Sequence, residues 1–201
     1  MPYTYDARSD RYRNTESGRF VTRTDALAYV NQSLDAGKDV VSQFAEFVVD
    51  GDISADDWGE RVWDEIKQEH IRQYLLGRGG LGSMTQADWG SAGGTLSEQR
   101  RYFNGFYAEV AAGALSAAVI AARSRMYVNA AREAYNRGHT RAARGGGKTR
   151  VKWNLGNTEE HCSDCIDLSG RGWMPIEELP TVPGAGQTKC LSNCDCNLTF
   201  E

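Results

Sequence analysis

The chain has 201 residues, with 23 basic and 27 acidic side chains that produce a net charge of −4 at pH 7. This length suits one ordinary domain, or one domain with a small appendage. Hydrophobic residues make up 40 % of the chain and charged residues 25 %, which excludes a largely disordered protein. The mild net charge also excludes a uniformly basic nucleic-acid binder of the histone type.

The sequence predicts no membrane-spanning segment and no membrane partner. Its longest uncharged apolar run, residues 110–122, has 13 residues, whereas a transmembrane helix needs about 20. The N-terminus is polar and lacks the apolar region of a secretory signal. We therefore expect synthesis in a cytoplasm without export.

Residues 1–21 lack hydrophobic periodicity, and we predict an extended N-terminal arm there. Aromatic side chains are spaced through this polar segment, at Tyr3, Tyr5, Tyr12 and Phe20. Such aromatics can anchor an arm on a partner, or they can pack against the domain that carries them. Both roles are open from the sequence, and the second is the commoner one.

Residues 22–144 carry the signals of an α-helical domain. A helix start is predicted where Ser or Thr precedes an acidic residue by three positions, since each side chain then satisfies a free amide of the first turn. We assign helix starts to three such pairs, at Thr22–Asp25, Ser54–Asp57 and Thr95–Glu98. The predicted helices cover residues 23–36, 39–49, 54–76 and 95–135, and the last of them is long and rich in alanine.

Two features inside this domain have ordinary structural explanations. His70 completes an apolar row on the predicted helix 54–76, where a histidine is usually a hydrogen-bonded core residue. The run from Gly77 to Gly82 matches G-x-G-x-x-G, but it follows a helix. The dinucleotide-binding motif needs a strand, a glycine turn and a helix in that order, so we predict no nucleotide site there.

Charge is segregated along the helical domain. Residues 35–69 hold 11 acidic and 3 basic side chains, and residues 123–152 hold 9 basic and 1 acidic. Cations near the end of a helix can simply be solvated and favoured by the helix dipole, or they can face an anionic partner. The candidates for contact with phosphate or an acidic partner are Arg137, Arg141, Arg144, Lys148, Arg150 and Lys152.

A glycine hinge is predicted at residues 145–149, between the helical domain and residues 150–201. Gly145–Gly147 are followed by Lys148 and Thr149, which resembles the end of a phosphate-binding loop. That motif also needs a glycine at position 142, which is alanine here, so we reject it.

All five cysteines lie in residues 150–201, which we predict to form a small α+β, zinc-ribbon-like domain. Strands are predicted at 151–155 and 197–200, on either side of a Cys-x2-Cys pair, a 24-residue loop and a second cysteine group. This spacing favours a tetrahedral structural Zn²⁺ site, and a bound metal would supply much of the folding free energy of so small a unit. The four ligands would come from Cys162, Cys165, Cys190, Cys194 and Cys196, with His161 as a further candidate.

The best ligand set is Cys162, Cys165 and Cys190 with either Cys194 or Cys196. Two disulfides with one thiol left over are the alternative to a metal. The H-x-E pattern of zinc deaminases is missing, and three histidines on separate segments support no catalytic triad. We therefore expect no enzymatic turnover, and we keep a zinc hydrolase or nuclease that uses His161 as an alternative.

The order of motifs in residues 153–196 carries a resemblance. It runs Trp153-Asn-Leu, Glu160-His-Cys-Ser-Asp-Cys165, Leu179-Pro-Thr-Val-Pro-Gly-Ala-Gly-Gln-Thr188 and Cys190-Leu-Ser-Asn-Cys194-Asp-Cys196. This order resembles the C-terminal domain of tailed-phage head morphogenesis (minor head) proteins. Many members carry a histidine three residues before the first of the last two cysteines. That position is Leu191 here, directly after Cys190.

The resemblance covers about 50 of the 201 residues and implies a virion component that is synthesised in the host cytoplasm. Proteins of this family associate with the portal and the inner face of the capsid, and they assist head assembly or early genome delivery without catalytic residues. The implied partners are the portal and major capsid proteins, within a multi-copy assembly, and packaged DNA. The alternative from another class is a zinc-containing nucleic-acid-binding protein that uses the basic segment 123–152.

Overall fold

The computed structural model describes residues 2–201 and confirms the mainly α fold class. The helices are α1 (Arg23–Asp50), α2 (Ala55–Arg78), α3 (Gln86–Ala111), α4 (Ala117–Asn129), α5 (Ala131–Gly145) and α6 (Ser163–Gly170). The strands are β1 (Tyr3–Asp6), β2 (Arg11–Asn14), β3 (Phe20–Val21), β4 (Arg150–Asn154), β5 (Trp173–Pro175) and β6 (Asn197–Phe200). None of the helices in this part of the chain is long and apolar enough to span a bilayer.

Two of the three predicted helix starts are confirmed. The Thr22 side chain accepts a hydrogen bond from the Asp25 amide at 3.1 Å and so caps α1, and Asp25 in turn accepts from the Thr22 amide. Ser54 caps α2 in the same way, accepting from the Asp57 amide at 3.0 Å. These caps could be predicted because both partners lie within one turn of the chain.

The third predicted start is wrong. Helix α3 begins at Gln86, where Thr85 and Asp88 form the reciprocal capping box. Thr95 lies inside the helix, and its hydroxyl donates to the Ser91 carbonyl one turn earlier. A threonine can be accommodated inside a helix by this bond, so its spacing to an acidic residue does not by itself mark a start.

The predicted break at Gly37 is also wrong, because α1 continues without interruption to Asp50. Gly37 is buried between neighbouring elements: a Cβ atom built on it would lie 3.1 Å from the Glu65 side chain and 3.1 Å from that of Val128. The position therefore serves close packing of α1 against α2 and α4 rather than termination of the helix.

The predicted 40-residue alanine-rich helix is divided into α3, α4 and α5. The first break, at residues 112–116, contains Gly113 at φ +69°, a backbone conformation that glycine adopts without strain. The small-residue run 110–122 therefore wraps around a turn, and within it Ala114 and Ala118 are exposed while Ile120 is buried. The run is therefore not one continuous helical face, and its part in α4 packs against α1.

The helical core forms around α2, which packs most extensively against α5. At their crossing, a Cβ atom on Gly77 would lie 2.1 Å from the Tyr135 carbonyl oxygen, and one on Gly138 would lie 2.5 Å from that of Tyr74. The two glycines therefore permit backbone contact between the helices. His70, predicted as a core residue, is buried and hydrogen-bonds the Ile66 carbonyl oxygen through Nδ1 at 2.9 Å.

The first residues, predicted as an extended arm, form a three-stranded antiparallel sheet in the order β1-β2-β3. Tyr5 and Tyr12 are buried on its inner face, where both rings lie near His139 of α5. Phe20 stays partly exposed on the outer face. Of the two roles considered for these aromatics, packing against their own domain is the one observed for the two buried tyrosines.

The two strands predicted in the C-terminal unit are confirmed as β4 and β6, which pair antiparallel in a sheet of order β5-β4-β6. This sheet packs on the helical body: Phe200 contacts the His139 ring at 4.8 Å between centroids, and Arg23 donates to the Leu198 carbonyl at 2.6 Å. The predicted hinge at 145–149 lies at this junction, with Gly146 against the Ala7 backbone. Its mobility stays a prediction.

Candidate functional site

Three chain segments bring the cysteines together. Cys162 is the N-cap of α6 and Cys165 lies in its first turn. A tight turn carries Cys190, closed by hydrogen bonds from the Leu191 amide to the Thr188 carbonyl and from the Asn193 amide to the Cys190 carbonyl. Cys194 and Cys196 follow this turn and lead into β6.

The sulfur atoms form two groups that share one member. Cys162, Cys165 and Cys190 have Sγ atoms within 4.8 Å of one another, and so do Cys165, Cys194 and Cys196. The Cys165 Sγ lies 3.7 Å from that of Cys190 and 3.6 Å from that of Cys194. Cys165 is therefore the centre of the cluster.

These separations can be compared with the geometry of a metal site. A tetrahedral ion with metal–sulfur bonds of about 2.3 Å places its sulfur ligands about 3.8 Å apart. The two measured sulfur–sulfur distances from Cys165 lie within 0.2 Å of that value. All five cysteines are free thiols, and Cys165, Cys194 and Cys196 are at most 4 % exposed. The cluster could therefore hold a metal ion, with Cys162 and Cys190 on its partly exposed side.

The surroundings of the cluster favour the negatively charged thiolate form of Cys162 and Cys196. Hydrogen bonding from Cys194 lowers the pKa of Cys196 to about 5, against the effect of burial and with help from the Trp153 indole and the Gly156 amide. Burial raises the pKa of Cys162, but the Cys165 and Cys190 amides outweigh it and bring that pKa below its ordinary value. Metal ions bind the thiolate form, so these contacts suit a ligand role.

The opposite shifts occur at the two remaining buried thiols. Donation to Cys196, followed by burial, raises the pKa of Cys194, and burial raises the pKa of Cys165. A thiol that coordinates a metal is deprotonated, so a bound cation would take the place of these protons. The indole nitrogen of Trp153 is buried and makes no hydrogen bond of ordinary geometry within residues 2–201. This N–H group lies where it can donate to a thiolate at Cys196.

His161, the further candidate ligand, joins neither sulfur group. Its Nδ1 lies 3.3 Å from the Thr158 hydroxyl, on the exposed segment before Cys162. Leu191, at the position where the phage family often has histidine, is half exposed with φ +53°. Its neighbour Cys190 takes part in the cluster instead.

The sequence analysis did not identify Thr188 as part of this site. Thr188 is buried, and its hydroxyl lies 3.2 Å from the Cys190 Sγ. The backbone of Lys189 is fixed by a hydrogen bond from its amide to the Asp164 carboxylate at 2.9 Å. The spacing of Thr188 and Cys190 in the sequence carries no signal of its own, so only their contact in the folded protein identifies Thr188 as part of the site.

The six basic candidates are divided by the structure. Arg137, Arg141 and Arg144 line one cavity beside α5. Arg150 pairs with the Glu201 carboxylate at 2.6 Å on the far side of β4. Lys148 and Lys152 make no ion pair in the part of the chain that the structure describes.

Comparisons of the chain with protein-family models, with curated proteins and with solved structures find no match.

Proposed function

We propose that this protein is a structural component of a tailed-phage head whose C-terminal unit is held together by a zinc ion. The observation that carries the proposal is the gathering of four thiols around that of Cys165, with two sulfur–sulfur distances from Cys165 that fit a tetrahedral ion and three of the five cysteines buried. A set of sulfur ligands favours zinc or iron over oxygen-seeking ions. Four protein ligands leave no open position for a substrate, which is the arrangement of a structural rather than a catalytic site.

The ligands we assign are Cys162, Cys165, Cys190 and Cys194. The first three form one sulfur group, and Cys194 is the member of the second group that lies at 3.6 Å from the Cys165 Sγ. Cys196 is the other candidate for the fourth position, since it belongs to the same second group and the Trp153 indole and the Gly156 amide favour its thiolate.

A metal at this position would act as a cross-link between α6, the turn at 188–193 and the entry to β6. Strand β6 contacts the helical body through Phe200 and through the Leu198 carbonyl. Ordering the cysteine segments therefore also orders the face that the C-terminal sheet presents to α5. This is the role expected of a metal in a unit with a small apolar core.

Association with the portal or with the inner capsid follows from the resemblance to minor head proteins. A rigid helical body with a compact metal-bound unit at one end suits an assembly protein, and the proposed closed site suits a protein without turnover. The zinc hydrolase alternative needs His161 at the metal, and His161 lies outside both sulfur groups.

Elemental mass spectrometry of the purified protein, combined with a free-thiol count, tests the metal assignment. We expect about one zinc ion per chain and few reactive thiols until a chelator is added. Cys194→Ser should lose the metal, and the matched variant Cys196→Ser should keep it. Metal-free protein with one free thiol would establish disulfides instead.

Proteomic mass spectrometry of purified particles tests the virion role. We expect the chain in mature or assembling heads of the phage that encodes it, and cross-linking should join it to the portal or capsid protein. Its absence from every head intermediate would contradict the proposed role and leave the metal site as a separate result.

A further inference from the structure

A polar cavity of about 270 Å³ lies between α5 and the loop at 176–187. Three arginines on successive turns of α5, Arg137, Arg141 and Arg144, line one wall. Hydroxyl-bearing and amide side chains, among them Ser91, Thr181 and Gln187, share the rest of the lining with four apolar residues of the loop. The cavity therefore collects hydrogen-bond donors and positive charge on a small concave surface.

Two of the arginines are held in place by carboxylates through one nitrogen each. Arg137 Nε donates to Glu133 at 2.6 Å, and Arg141 Nε donates to Asp88 at 2.6 Å. Within residues 2–201 the terminal nitrogens of both guanidinium groups make no hydrogen bond. Each arginine is thus fixed in orientation while two nitrogens remain available to a ligand.

Arg144 is fixed in a different way. Its Nη2 donates to the Ile176 carbonyl at 3.0 Å, which ties it to the loop that forms the opposite wall. Its remaining guanidinium nitrogens make no hydrogen bond in the described part of the chain. The three guanidinium groups therefore have fixed positions and unused donors.

The charges around the cavity do not cancel. Asp88 is shared by Arg141 and Arg78, and Glu133 serves Arg137, while Arg144 has no carboxylate partner among residues 2–201. Among the residues that line the cavity, three arginines are positive and none is negative, and Glu177 and Glu178 of the facing loop lie outside the lining. Neither carboxylate lines the cavity, and both side chains are at most 10 % exposed.

We infer that this cavity binds a phosphate group. Guanidinium groups present planar pairs of N–H donors that match two oxygens of a phosphate, and several of them around one group give both affinity and orientation. The volume lies below the range of about 300–1,000 Å³ that is usual for drug-sized ligands, which suits a single phosphate. The source is either the backbone of a nucleic acid or free phosphate.

This inference deepens the proposed function, since a phosphate site would provide a head protein with a contact to packaged DNA. It rests on the proposed function only where it names packaged DNA as the ligand. The inference also reduces the six basic candidates for phosphate contact to three. Lys148, Arg150 and Lys152 lie outside the cavity and are not part of the site.

Two binding measurements test the site. Thermal unfolding in inorganic phosphate, against chloride at equal ionic strength, reports free phosphate. Fluorescence anisotropy with labelled 20-nucleotide single-stranded and duplex DNA reports the nucleic-acid backbone. We expect Arg137→Gln and Arg144→Gln each to weaken binding at least five-fold and to reduce the salt dependence of DNA binding by about one unit of slope.

Two further variants make the test specific to the cavity. Arg125→Gln removes the same charge from an exposed position on α4 and should bind as the wild type does. Gln187→Glu changes an exposed lining residue without removing any anchor, so it should fold normally and weaken phosphate binding by repulsion.

The possible outcomes distinguish free phosphate from a nucleic-acid backbone as the ligand, and they distinguish this inference from the proposed function. Stabilisation by phosphate with DNA binding supports the nucleic-acid source, and stabilisation without DNA binding supports free phosphate. No stabilisation by phosphate over chloride, an equal loss in Arg125→Gln, or binding of an oligoglutamate peptide in place of phosphate would overturn the inference. Absence of the chain from phage particles would remove the proposed function alone and leave the phosphate site unaffected.

Discussion

The helical body and the C-terminal unit obtain their stability from different sources. The body buries a continuous aromatic cluster in which Trp58 stacks on Phe103 at 5.7 Å and meets Phe106 edge to face at 5.3 Å. The C-terminal core is smaller, and three of its eleven buried members are cysteines. Apolar burial is extensive in the first region, whereas the second, under the proposed function, is cross-linked by a metal. The two regions should therefore respond to different perturbations.

The largest effect is expected from removal of the metal. A chelator, or Cys165→Ser at the shared centre of the cluster, should destabilise residues 150–201 by on the order of 5 kcal/mol or more. Hydrogen–deuterium exchange should show lost protection in β4, α6 and β6, with α1 and α2 still protected. Restored protection on adding zinc to chelated protein is the control. Equal loss of protection in both regions would show that they share one source of stability.

A substitution in the helical body should destabilise that region and leave the cysteine cluster unchanged. Gly77→Ala places a Cβ atom where the Tyr135 carbonyl oxygen lies, so α2 and α5 must separate, and we expect a loss of about 3 kcal/mol in the free energy of unfolding. Gly82→Ala is the matched control, because no atom lies within 4 Å of its added Cβ. Urea unfolding followed by circular dichroism measures both. The metal content should stay unchanged in each variant.

Acid should weaken the helical body through His70. Burial lowers the pKa of His70 to about 4, whereas an unfolded histidine titrates near 6.5, so the unfolded state binds more protons between these values. The free energy of unfolding should therefore fall as the pH drops from about 6.5 to 4, by about 3 kcal/mol for this group. His70→Gln should flatten that pH dependence in urea unfolding. Part of the pH dependence should remain in this variant, because burial also lowers the pKa of His139.

The smallest effect concerns the junction between the regions. Limited proteolysis should cut first in the exposed segment 157–160, because Gly146 at the predicted hinge packs against Ala7. A glutamate-specific protease can cut after Glu159 or Glu160, and mass spectrometry of the fragments identifies the site. Earlier cleavage at 145–149 would establish a mobile hinge and would mean that the two regions move independently.

Features that depend on neighbouring residues could be predicted from the sequence. The caps at Thr22 and Ser54, and the strands β4 and β6, are recognised within a few positions of the chain. The Cys-x2-Cys pair indicates a cluster because a turn brings its two thiols together, and the structure places the other three thiols beside it. Local hydrogen bonding and side-chain periodicity are sufficient for these features.

Contacts between distant segments decided the rest. Asp88, whose cap with Thr85 at the start of α3 is itself local, also joins Arg78 and Arg141, the second of which lies 53 residues away in sequence. The same contact orients Arg141 beside Arg137 and Arg144, so a charged stretch becomes one cavity with three arginines, and the other basic side chains lie elsewhere. Composition counts charges, but the neighbours that neutralise, bury or orient each charge are brought together only when the helices pack.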